Sequence, residues 1–258
     1  MAAALGYTGV ILKAQGRISE ALKAHTAALE IHTRREDARG LAATKSNLGI
    51  IHRYFGRLAE ADRLHTEALA AYVGLHDLQG QSRELSNLGT VARSLKQFDR
   101  AIELHSKSLA ISEQLDNRHG IAIQYSNLGR DYFEQGRLDQ AENLHLDALQ
   151  MSRTSGDLES QAWQNEGLAA IALRRGDLER AIEHANKSWL LFEQIGGKLG
   201  IATCEKLQAE IATQSGDFAL AKERYSAAIK SFNEQQMTDA ANEVIAARER
   251  LSGRLSDG

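Results

Sequence analysis

The sequence of 258 residues has no proline and a single cysteine, Cys204. Without proline the usual helix breaker is missing, so glycine and the Asn/Asp pair are left to end helices. One thiol excludes an intramolecular disulfide and a cysteine cluster for zinc, which makes a reducing, cytoplasmic setting the expectation. Neither sign of charge dominates: 31 basic against 34 acidic residues give a net charge of −3, so no overall basic field points to a nucleic-acid partner. Long hydrophobic runs are lacking too. The apolar stretch Met1 to Leu12 has no basic leader, and Lys13 interrupts it before it could span a bilayer. No glycine-rich phosphate loop with lysine, paired-histidine metal motif or nucleophile elbow occurs, so neither an enzyme nor a cofactor is expected. At 43% hydrophobic and 25% charged residues, the composition is that of a folded chain.

What the sequence does contain is a repeat. Ser46-Asn47-Leu48-Gly49 returns as Ser86-Asn87-Leu88-Gly89 and as Ser126-Asn127-Leu128-Gly129, a step of forty residues. A period of this size signals stacked supersecondary units. In the same register stand Gly16, Gly56, Gly136, Gly176 and Gly216, with Lys96 in the third repeat, at positions where a helix should stop. Five residues on come Ala21, Ala61, Ala101, Ala141, Ala181 and Ala221, then Ala28, Ala68, Ser108, Ala148, Ser188 and Ala228. Small side chains at these positions let helix axes approach closely. Apolar or small residues at Ala61, Leu64, Ala68, Leu69 and Tyr72 follow helical spacing, and no strand-like alternation is sustained. The turns between repeats carry Asp37, Asp77, Asp116-Asn117, Gly156-Asp157 and Gly196-Gly197, where an aspartate can cap the next helix. Six helix pairs follow, at about 2–41, 42–81, 82–121, 122–161, 162–201 and 202–235. A last helix over 237–252, with Ala240, Ala241, Val244, Ala247 and Leu251 on one face, caps them.

The small residues, the Leu-Gly pair and the turn glycine at these offsets resemble the tetratricopeptide repeat in its long, roughly forty-residue form, as in kinesin light chains and the Pins/LGN adaptors. The likeness is strongest in repeats two to four. It weakens where Thr8-Gly9, Leu168-Ala169 and Gln208-Ala209 replace the Leu-Gly pair. It implies an all-α, right-handed solenoid superhelix whose first helix in each repeat lines a concave groove. There Asn47, Asn87 and Asn127 would form a ladder able to match the alternating N–H and C=O of an extended peptide. The alternative is that these amides only bond neighbouring helices and hold the register.

The expected groove in repeats one to four is basic, with Lys13, Arg17, Arg53, Arg57, Arg83, Arg93, Arg130 and Arg137 against Glu134. Arg83 and Arg130, mid-helix beside the ladder, are the preferred partners for an acidic peptide, and Arg17, Arg57 and Arg137 read equally as solvated turn residues. Repeats five and six instead carry Glu166, Asp177, Glu210 and Asp217 with Arg174 and Lys206, and Trp163 is a candidate anchor. The carboxylate clamp of chaperone-binding relatives is disfavoured, because its first lysine falls on Gly6 or Ser46. His25, His65, His105 and His145 recur once per repeat, too far apart for one zinc ion, and read as packed core residues. Cys204, without a histidine partner, reads as buried and inert.

The expectation is therefore a non-enzymatic adaptor that takes an extended, acidic segment of another protein, with no nucleic acid, membrane or metal. Two rivals remain. One is a sensor or regulatory module of a larger signalling protein or transcription regulator. The other is a scaffold that self-associates through the apolar face of its first helix, which either meets a partner or continues a longer array.

Overall fold

The computed structural model describes residues 1–235 and 237–256. Thirteen α-helices and no strands make up the described residues. They are α1 (Ala2–Ala14), α2 (Ile18–Arg34), α3 (Ala38–Tyr54), α4 (Leu58–Gly74), α5 (Leu78–Ser94), α6 (Phe98–Gln114), α7 (Arg118–Glu134), α8 (Leu138–Ser155), α9 (Leu158–Arg175), α10 (Leu178–Ile195), α11 (Lys198–Ser215), α12 (Phe218–Glu234) and α13 (Thr238–Ser256).

A turn every twenty residues sets this rhythm. Residues 16, 36, 56, 76, 96, 116, 136, 156, 176, 196 and 216 all have positive φ. Seven of these are glycines, which reach the left-handed region without steric cost; Glu36, His76, Lys96 and Asp116 take it at φ 48–59° despite a Cβ. The next helix often starts with an Asx cap. Asp37, Asp77, Asn117 and Asp157 accept the backbone N–H three residues on at 2.9–3.0 Å, each such cap being worth about 1 kcal/mol. Asp177 and Asp217, counted above with the acidic groove, cap α10 and α12 in the same way.

The chain forms two compact units, Met1–Gln135 and Gly136–Gly258. In the first, α1 to α7 pack each on the next, and odd-numbered helices also touch: α1 meets α3, α3 meets α5, and α5 meets α7. The even-numbered helices have no comparable mutual contact, so the odd helices lie on the tighter side of this stack. In the second unit α8 to α13 follow one another likewise, with α9 against α11. There Asp caps open α9, α10 and α12 but not α11, and α13 buries Ala241, Val244 and Leu251 against Ala221, Tyr225, Ala228 and Phe232.

The small residues at the fixed offsets make this packing feasible. Ala21, Ala61, Ala101, Ala141, Ala181 and Ala221 are fully buried, as are Ala28, Ala68, Ser108, Ser188 and Ala228. Opposite each histidine the neighbouring helix offers a glycine. A Cβ built on Gly9, Gly49, Gly89 or Gly167 would lie 2.5–2.6 Å from the imidazole of His25, His65, His105 or His145, so the ring occupies the space the missing side chain leaves. The glycines one turn into α3, α5 and α11 do the same for the last turn of the preceding helix, with Gly80 against Tyr72 and Gly200 against Phe192.

Candidate functional site

Within Ser-Asn-Leu-Gly the helix separates four roles. Leu48, Leu88 and Leu128 are buried, Gly49 and Gly89 receive the histidines, and the asparagines sit half-buried at the edge of the odd-helix face. Asn127 on α7 is tied to α5: its Nδ2 donates to Ser86 Oγ at 3.3 Å, and its backbone carbonyl accepts from Arg93 Nη1 at 3.1 Å. Asn87 differs. Its Nδ2 is shielded from solvent and has no hydrogen-bond partner within the protein. The register-holding role therefore applies to Asn127 and leaves the amide of Asn87 unused.

The arginines divide in a similar way. Arg93, with 17% of its side chain exposed, donates to Asp131 Oδ1 at 2.8 Å. Asp131 is wholly buried, and its other oxygen lies 2.5 Å from His105 Nδ1, while His105 Nε2 lies 3.1 Å from the Ser86 carbonyl. One buried carboxylate thus joins α5, α6 and α7. Burial is the largest influence on Arg93 and moves its pKa below the ordinary value, although Asp131 pulls the other way. Arg83 donates to Glu84 Oε1 at 3.1 Å and to Tyr72 Oη at 2.6 Å, with its guanidinium 5.1 Å from the centre of the Tyr72 ring. Glu84 is also wholly buried and lies 2.8 Å from His65 Nδ1. Burial pushes the Glu84 carboxyl up, but the hydrogen bonds from His65 and Ser46 and the adjacent charges outweigh it and hold the pKa below the usual carboxylate value.

Arg53 makes none of these bonds. It is exposed, yet burial is the first cause of its lowered pKa, followed by the charge of Arg93. Arg130 is half-buried on α7 and engaged by its neighbours. Of the remaining basic residues, Arg17 pairs with Glu20 at 2.6 Å and Arg57 lies 5.4 Å from the Phe55 ring centre.

Trp163 belongs to the other unit. It is half-buried on α9, its ring edge-to-face with Phe192 at 4.7 Å and 70°, in a cluster with Ala162, Trp189 and Cys204. Its packing contribution is in hand whether or not a ligand reaches it. Lys206 donates to Glu243, and burial raises the pKa of Glu210 beside it. Cys204 is buried with Sγ 3.1 Å from Ser188 Oγ, and burial pushes the thiol up to about 12, which leaves it protonated and unreactive. Among the described residues no group of three or more His, Cys, Asp or Glu gathers as metal ligands, and no helix is long and apolar enough to cross a membrane.

The sequence reading missed the two buried carboxylates. Glu84 follows His65 by nineteen residues, the offset at which Gln164 follows His145, and these polar residues occupy positions that an apolar pattern would fill.

Fold and site together define a helical-hairpin repeat module with a polar odd-helix face. The signature of the tetratricopeptide repeat matches residues 1–72 and 82–154, and the chain belongs to that family. No curated protein matches the sequence. Among solved structures, a Rap protein complexed with competence and sporulation factor is 13% identical, with a TM-score of 0.74 over 98% of this chain and 75% of that one. A putative kinesin light chain with nearly identical repeats, from Podosopora anserina, is 16% identical, with a TM-score of 0.58 over 74% of this chain and 95% of that one. A signal-transduction ATPase with a tetratricopeptide repeat sensor, from Pyrococcus horikoshii, is 19% identical, with a TM-score of 0.67 over 90% of this chain and 34% of that one. At these identities the likeness is one of fold.

Proposed function

We propose that this chain is a non-enzymatic, cytoplasmic interaction module that holds an extended, acidic segment of another protein along the odd-helix face of residues 1–135. The observation that carries the reading is the amide of Asn87, shielded and without an intramolecular acceptor, in the middle of asparagines that recur every forty residues. Neighbouring helices lie roughly 8–10 Å apart and an extended chain rises about 3.3 Å per residue, so each repeat spans about three peptide residues. With Asn127 engaged by Ser86, two net hydrogen bonds of about 1 kcal/mol from each of Asn47 and Asn87 give about 4 kcal/mol, against an association cost of about 4–15 kcal/mol. Side-chain contacts must supply the rest, and the arginines of this face provide them. A Rap protein of similar fold is complexed with competence and sporulation factor in its crystal structure, which supports a binding role for the fold.

The test is a pulldown from the source lysate with wild type and with N47A/N87A/N127A, after circular dichroism shows equal helicity. Loss of a partner from the folded triple variant supports the reading, and unchanged partners overturn it.

A second reading, a sensor module within a larger signalling protein, draws on the likeness to the repeat sensor of the signal-transduction ATPase. A longer parent reading frame would decide for it. Self-association through α1, where Tyr7, Val10 and Ile11 are exposed, is tested by light scattering, and a monomeric mass at high concentration ends it.

A further inference from the structure

The repeat is not electrostatically uniform, and the difference between two adjacent copies marks a subsite. Between α5 and α7, Arg93 is neutralised by Asp131, and Asn127 reaches Ser86. Forty residues earlier the corresponding four residues are Arg53, Val91, Asn87 and Ser46. Val91 is fully buried and offers no acceptor where Asp131 stands. Ser46 hydrogen-bonds Glu84. Asn87 Nδ2 is left without a partner, and Arg53 has no carboxylate beside it, only the like charge of Arg93.

Two donors, one of them cationic, thus meet no acceptor at the α3–α5 step: the Asn87 amide is shielded from solvent, and Arg53 is exposed with no carboxylate beside it. A shielded amide donor without an acceptor is costly alone and is satisfied once an anion arrives, and the exposed guanidinium supplies the matching charge. We propose that Arg53 and the amide of Asn87 form the subsite for one side-chain carboxylate of the bound peptide, an Asp or Glu that supplies from the groove the acceptor which Asp131 supplies to Arg93 from within the chain. A carboxylate fits because its two oxygens match the fork of a guanidinium, and its single charge balances the single unpaired arginine. The fixed position of that acidic residue would also set the register of the peptide on the ladder, which backbone contacts by asparagine leave free to slide.

This inference rests on the peptide-binding reading, and its test separates the two. A library of short random peptides, fused through both ends so that only side chains supply carboxylates, is selected on wild type, R53Q and R53E. R63Q, on α4 where Arg63 is bonded to Glu60 and Glu67, serves as the control, and thermal melts confirm that each variant is folded. Wild type and R63Q are expected to enrich peptides with Asp or Glu at one fixed position. R53Q should lose that preference and bind the wild-type-selected peptide at least about tenfold more weakly, and R53E should exchange the preference for Lys or Arg. Peptides enriched without an acidic position, or with one that survives in folded R53Q, overturn the subsite and leave the peptide groove standing. No enrichment on wild type overturns both.

Discussion

Replacing Gly49 by alanine tests the packing of the repeat. In an exposed helix this change would stabilise by about 1 kcal/mol through propensity. At Gly49 the new methyl carbon would lie 2.6 Å from His65 Nε2 and 2.8 Å from its Cδ2 and Cε1. His65 cannot swing away, because the ring is fully buried and its Nδ1 is 2.8 Å from Glu84. Either α3 and α4 move apart, an overpacking cost of about 1–3 kcal/mol, or the bond to a charged group is lost at about 1.5–3 kcal/mol. With either cost less the propensity gain of about 1 kcal/mol, G49A should be destabilised by up to about 2 kcal/mol. Gly74, near the end of α4, has nothing within 4 Å of its built Cβ, so G74A should be stabilised by up to about 1 kcal/mol. Urea denaturation followed by circular dichroism reads both. If the two variants shift in the same direction, the glycine–histidine contact does not control helix approach and the reasoning fails.

Three further expectations concern charge and strain. Because the pKa of Glu84 is lowered in the folded state, its ionised form contributes stability at neutral pH that is lost as pH falls through that lowered value. The stability gap between wild type and E84Q should therefore shrink below about pH 4, as urea midpoints measured against pH will show, and a pH-independent gap would contradict a buried, ionised Glu84. Removing the carboxylate shared by Arg93 and His105, in D131A, should cost about 3–5 kcal/mol, whereas D139A, at an exposed residue of α8, should cost less than about 1 kcal/mol. Lys96 adopts φ 59° where five other repeats have glycine, so K96G should relieve about 1 kcal/mol of strain and raise the melting temperature by about 2–4 °C; a fall would show that the turn is unstrained.

Much of this fold can be read from the chain because the determinants are local or strictly periodic. The small residues at 21, 61, 101, 141, 181 and 221 are all fully buried, and the glycine turns at 16, 56, 136, 176 and 216 all take positive φ. Lys96 kept the same conformation without being glycine, since the packing of the helices on either side dictates the turn. The site was less legible, because charged side chains on an amphipathic helix look alike until their partners are known. Glu84 and Asp131 read as ordinary helix charges, yet each is buried by a histidine nineteen or twenty-six residues away on another helix. Arg93 reads as a groove residue, and its charge is taken up by a carboxylate thirty-eight residues on. Arg53 shares its motif position and lacks that partner, a distinction carried by the single exchange of Asp131 for Val91. Trp163, in the first helix of the fifth repeat, reads equally as a groove anchor and as packing between repeats; its edge-to-face contact with Phe192 depends on how α9 and α10 meet.

The central claim is that the odd-helix face of residues 1–135 is the one that meets a partner. Its most direct measurement is site-specific photocrosslinking in the source lysate, with the photoreactive residue placed at Asn87 on α5 or at the exposed Glu103 on α6. The account predicts one discrete crosslinked protein from position 87, absent from position 103 and competed away by the peptide selected on wild type. The same product from both positions, or a product from 103 alone, would contradict it.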